Sequence, residues 1–128
     1  MAKDYQEWFL QSDYDFQVAE TLFRTEKYIY CVFLCHLSVE KYLKGIYLRD
    51  LQKEPPKFHS LGYFIDACEL RIPENMNDYI LEISDMAVLT RYPDSLVNLK
   101  EEFEKNVTQD LLNKTQEFLK WLKTEYTK

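Results

Sequence analysis

From Ile29 to Leu51 the chain runs IYCVFLCHLSVEKYLKGIYLRDL, with no proline and no cluster of helix-breaking polar residues. Apolar side chains recur at Ile29, Val32, Phe33, Leu37, Val39, Leu43, Ile46 and Tyr47, the three-and-four spacing that gives a helix one buried stripe. This predicts a single long helix. Upstream, Tyr5, Trp8, Phe9, Phe16, Ala19, Leu22 and Phe23 fall near the same period, while Lys3, Glu7, Asp13, Asp15 and Glu20 take the opposite side. That predicts an acidic amphipathic helix from Asp4 to about Glu26. A turn as short as Glu26 to Tyr28 makes the two helices antiparallel neighbours.

Pro55 and Pro56 must end the long helix before the KEPPKF segment, because proline lacks the backbone donor and pushes its predecessor out of helical geometry. Leu61, Phe64, Ile65, Cys68 and Leu70 outline a short third helix with His59 or Ser60 near its cap, closed by Pro73. A fourth begins near Glu74 with Met76, Ile80, Ile83 and Ala87 on one stripe and Leu81 and Val88 beside it; it runs to Thr90 and Arg91, and Pro93 ends it. The charge cluster Lys100 to Lys105 makes Tyr92 to Val107 mainly a connection. Thr108 with Asp110 opens the last helix, which carries Leu111, Thr115, Phe118, Leu122 and Tyr126 on one side. The expected fold is all-α: an up-and-down bundle of about five helices in one domain, 1–128, led by a long antiparallel N-terminal helix pair.

Composition supports this picture. The 128 residues include only 2 glycines, no segment alternates at strand period, and a chain of this length buries a core without disulfides or metal. Lys and Arg total 16 against 22 acidic residues, a net charge of −6, which argues against a generic nucleic-acid binder. RNA is therefore a weaker expectation. The 3 cysteines are odd in number and not spaced as metal clusters, and the N-terminus lacks a signal-peptide pattern, so a reducing, cytoplasmic location is expected. No apolar stretch reaches membrane-spanning length.

Chemistry concentrates in few places. His36, Glu40 and Lys44 stand at four-residue intervals along the edge of the long helix's apolar face. Such a row is a structural ion-pair ladder first, and second a proton-handling or anion-binding site. Cys31, Cys35 and His36 make a conceivable metal corner, but no second ligand pair accompanies them, so no metal is expected. His59 is expected to serve its own corner by capping the helix after it. Arg91, at the end of a buried stripe, is either a salt-bridge partner or a phosphate fork.

Four segments in order carry a resemblance: W-x-x-x-S-D-Y-D from Trp8 to Asp15, S-V-E-K-Y-L-K-G from Ser38 to Gly45, P-P-K-F-H-S-L from Pro55 to Leu61, and T-R-Y-P-D from Thr90 to Asp94. Together they resemble the HEPN domain family of small five-helix bundles. The resemblance implies a homodimer packed through the long and fourth helices, often paired with a minimal nucleotidyltransferase in toxin–antitoxin-like systems. Some members are metal-independent ribonucleases, in which an arginine late in helix four is followed after four to six residues by a histidine. Arg91 matches the arginine, but Leu96, Val97 and Asn98 stand where the histidine belongs. The expectation is a non-catalytic binding module without a cofactor, whose ligand is a nucleotide, a partner nucleotidyltransferase, or both, with Lys41, Lys44 and Arg91 as anion contacts. The alternatives are a divergent ribonuclease using Arg91 with His36 or His59, and a purely structural dimer.

Overall fold

The computed structural model describes residues 3–92 and 95–126, so Pro93 and Asp94, the expected stop of helix four and the end of its motif, lie outside the described residues. Among the described residues there are six helices and no strand: α1 Tyr5–Arg24, α2 Tyr28–Leu51, α3 Leu61–Ala67, α4 Glu74–Arg91, α5 Leu96–Glu102 and α6 Lys105–Tyr126. The all-α bundle expected from periodicity is the observed fold. None of these helices is long and apolar enough to cross a membrane.

The ends of α1 follow from local chemistry. The Asp4 side chain accepts a hydrogen bond from the Gln6 backbone N–H at its start. At its end, the Lys27 N–H reaches the Leu22 carbonyl and the Glu26 N–H reaches Phe23, with Glu26 at φ 63°. That pattern is a Schellman turn. In a chain with two glycines, left-handed positions fall to ordinary residues, here Glu26, Gln52 and Glu69.

The chain then doubles back. Phe9 stacks on Tyr42 with centroids 4.4 Å apart, and the Ser12 hydroxyl donates to the Ser38 carbonyl. Residues early in α1 therefore meet residues late in α2, so the pair is antiparallel. Gly45 permits the approach: a Cβ there would lie 2.5 Å from Phe9 Cε1 and 3.1 Å from Trp8 Cβ.

Helix α2 touches all five other helices. From Ser38 to Tyr47 nearly every side chain is buried, polar ones included. The row His36, Glu40, Lys44, expected along an edge, is thereby enclosed, because neighbours on every side leave the helix no edge.

One segment departs from expectation. Tyr92 to Val107 is not mainly a connection: Ser95 caps α5 by accepting from the Asn98 N–H, and Leu99 and Phe103 are buried in the core. Charges at Lys100 to Lys105 sit on exposed faces, where they do not oppose helix formation. The last helix starts at Lys105, and Thr108 lies buried inside it rather than capping it.

Candidate functional site

Helical spacing on α2 sets one line of the site. Lys44 Nζ lies 3.1 Å from Glu40 Oε2, and His36 Nδ1 lies 3.8 Å from Glu40 Oε1. The second distance exceeds hydrogen-bond length, and His36 Nδ1 is buried without a partner. Burial lowers the His36 pKa from 6.5 to about 4, overriding the opposite pull of Glu40, with Arg91 and His59 adding to the lowering. His36 is therefore neutral at pH 7 and forms no ion pair. The Lys44 ammonium also sits between two rings, 5.7 Å from the Trp8 centroid and 5.6 Å from Phe64.

The loop after Pro55 and Pro56 supplies the next group. His59 was expected to serve its own corner, but capping falls to Ser60, whose hydroxyl accepts from the Tyr63 N–H. His59 instead reaches α2, with Nδ1 at 3.1 and 3.2 Å from the two Glu40 oxygens. In the neutral ring, a proton on Nδ1 donates to this carboxylate and leaves Nε2 as a free acceptor.

The end of α4 completes the cluster. Arg91 Nη2 lies 3.7 Å from Glu40 Oε1 and 3.5 Å from His59 Nδ1, and its Cζ stands 4.9 Å from the Phe33 ring centroid. Since Nδ1–H is spent on Glu40, the arginine and histidine are neighbours rather than donor and acceptor. Side-chain exposure grades outward, from 3% for Glu40 through 21% for Arg91 to 57% for His59. One carboxylate faces two permanent cations, Lys44 and Arg91, so the cluster carries an excess positive charge. Arg91 Nε is buried and meets no acceptor among the described residues. Arg91 also lines a hollow of about 280 Å³ with Tyr30, Phe33, Thr90 and Tyr92.

Five of the six residues singled out in the sequence thus converge: His36, Glu40, Lys44, His59 and Arg91. Lys41 does not join them. Its Nζ pairs with Asp15 at 2.9 Å, beside Leu10 and Tyr14 of α1, because one residue along a helix turns the side chain about 100° away. Leu96 and Val97, where a ribonuclease histidine would fall, are exposed apolar residues of α5. Sequence reasoning missed the aromatic wall formed by Tyr30, Phe33 and Tyr92. The available signal was Tyr30 and Phe33 at i, i+3, one turn before His36.

A helical bundle built around one central helix, with an arginine, a carboxylate and a histidine gathered where another helix ends, defines a small all-α module with a polar site on its flank. The family model of the HEPN domain matches residues 5–125, nearly the whole chain, and the chain belongs to that family. No curated protein and no solved structure matches it.

Proposed function

We propose that this chain is a non-catalytic HEPN-type binding module that takes a phosphate-bearing ligand, a nucleotide, at the end of α4. The observation that carries this reading is Arg91: held near the Glu40 carboxylate, its side chain lines an aromatic-walled hollow with Tyr30, Phe33 and Tyr92. Arginine suits phosphate because its planar fork offers two parallel donors. Lys44 offsets the Glu40 charge from within, which leaves the Arg91 charge available to an anion.

The module acts as a homodimer in this reading. Support comes from Leu81, Val88 and Leu89 of α4 and Leu96 and Val97 of α5, apolar side chains exposed in the single chain. A minimal nucleotidyltransferase partner in a toxin–antitoxin-like pair rests on family membership alone.

A second reading, a divergent ribonuclease, is favoured by the closeness of Arg91 and His59, 3.5 Å apart. Glu40 orients the imidazole with Nε2 free, the arrangement of a general base beside a cation that meets phosphate charge. Calorimetric titration with AMP, comparing the native chain with Arg91→Ala, tests the first reading. Loss of a charge-assisted contact weakens binding by about tenfold or more; equal affinities would sink it. Incubation with RNA separates the readings, since cleavage abolished by both Arg91→Ala and His59→Ala would establish the enzyme.

A further inference from the structure

A cavity of about 550 Å³ lies between the start of α2, α5 and the start of α6. That volume falls within the roughly 300–1,000 Å³ of pockets that take small organic molecules. None of His36, Glu40, Lys44, His59 and Arg91 lines it, so it is separate from the polar cluster at the end of α4.

The lining changes character from floor to rim. Phe103 is 1% exposed and forms the floor, Tyr28 and Ile29 are half-buried walls, and Tyr30 and Leu96 stand 60% and 58% exposed at the mouth. Packing within the chain fixes these walls. The Tyr28 ring lies 5.6 Å from that of Phe23, and the Lys27 N–H bonds to the Leu22 carbonyl, which together set the start of α2. The charged lining residues, Glu26, Lys27, Lys100, Glu104 and Lys105, are all exposed. Three ammonium groups thus stand with two carboxylates, and no ion pair joins them among the described residues. The rim is positive by one charge, 3 − 2, on a chain whose net charge is −6.

We infer that this cavity binds a small amphipathic anion, an aromatic or medium-chain carboxylate. Its apolar body lies against Phe103, Ile29 and Leu96, and its carboxylate points to the lysines of the rim. Removing the apolar body from water supplies affinity, while the few charged groups around an apolar pocket set orientation and sign. A cation would meet a rim of like charge, and a neutral molecule would leave that charge unused. The site is independent of the phosphate-binding reading of Arg91.

The test uses the full chain at low salt with two fluorescent probes that share one ring system: 8-anilinonaphthalene-1-sulfonate, an anion, and N-phenyl-1-naphthylamine, its neutral counterpart. The native chain should bind one sulfonate per molecule saturably, and decanoate should displace it. Leu96→Asp, which places a carboxylate at the mouth, should weaken the sulfonate about tenfold or more. A triple variant, Lys27→Gln, Lys100→Gln and Lys105→Gln, changes only exposed side chains. It should weaken the sulfonate about tenfold and leave the neutral probe unchanged. Arg91→Ala should bind both probes like the native chain. Circular dichroism checks the fold of Leu96→Asp, and the lysine variant decides the matter if that one unfolds.

Absence of saturable binding overturns the site, as does sulfonate binding indifferent to the lysine variant. Equal weakening of both probes by that variant, or no displacement by decanoate, overturns the carboxylate assignment. Loss of the sulfonate in Arg91→Ala would put the probe in the hollow beside Arg91 and overturn the cavity as its site. Binding that falls as gel filtration shows a dimer forming would mean that a second copy fills the cavity, which likewise overturns the inference. None of these outcomes bears on AMP binding, which tests the Arg91 reading separately.

Discussion

His59 Nδ1 lies 3.1 Å from Glu40 Oε1, joining the loop after the two prolines to the middle of α2. The same carboxylate holds Lys44 at 3.1 Å and lies 3.7 Å from Arg91. One buried charge thus positions side chains from α2, a loop and α4. The orientation of Arg91 and His59 toward any ligand depends on it.

Glu40→Ala should therefore be costly to the fold. It leaves the Lys44 ammonium, nearly buried, without its counter-charge, and breaking a buried pair from one side typically costs about 3–5 kcal/mol. Urea denaturation at pH 7 measures this. A loss below about 1 kcal/mol would mean that water solvates Lys44 after all.

His36 makes stability pH-dependent in a defined direction. Its pKa is about 4 in the folded chain against 6.5 ordinarily, so between these values the unfolded chain binds more protons. Stability is then complete above about pH 6.5 and falls as the pH drops toward 4, by on the order of 3 kcal/mol. Carboxylates also titrate at the lower end, so the informative quantity is the difference between the native chain and His36→Gln. The variant should show a flatter profile between pH 6.5 and 5; identical slopes would contradict the burial of a neutral ring.

Gly45→Ala sets two effects against each other. Alanine gains about 1 kcal/mol of helix propensity over glycine, but its Cβ would meet Phe9 Cε1 at 2.5 Å and Cδ1 at 2.7 Å. Phe9 is held in turn by its stack on Tyr42, so its ring cannot swing aside freely. Overpacking of this kind costs about 1–3 kcal/mol, and a lower thermal midpoint is expected. A higher midpoint would show that the two helices separate easily.

The hydrogen bond between Tyr79 and Thr115, 2.6 Å long, is asymmetric. Thr115 Oγ1 donates to the Leu111 carbonyl at 2.7 Å, so the Tyr79 hydroxyl is the donor between the two. Tyr79→Phe removes that donor and leaves Thr115 bonded, at a cost of about 1 kcal/mol. Thr115→Val strands a fully buried hydroxyl and should cost more, about 1–3 kcal/mol. Chemical denaturation of the two variants gives the order; the reverse order would assign the proton the other way.

Much of the fold was legible because helical periodicity is a local property. The stripes on α2, α4 and α6 mark buried positions, among them Val39, Ile83 and Phe118, and Pro55 with Pro56 marks the exit from α2. The segment from Leu96 to Phe103 was not legible, because exposed charges from Lys100 onward mask two core residues, Leu99 and Phe103, that only packing identifies.

The candidate site divides in the same way. The sequence by itself determined that His36, Glu40 and Lys44 share one line of a helix, since four residues return a side chain to the same face. It also placed Arg91 at the end of a buried stripe. Only the tertiary structure decided that His59 leaves its own corner for Glu40, that Arg91 comes to rest beside it, and that Lys41 turns away to Asp15. Spacing within one helix fixes angles around that helix, but contacts between α2, the loop and α4 depend on how the helices cross and how the loop returns, which local periodicity does not encode.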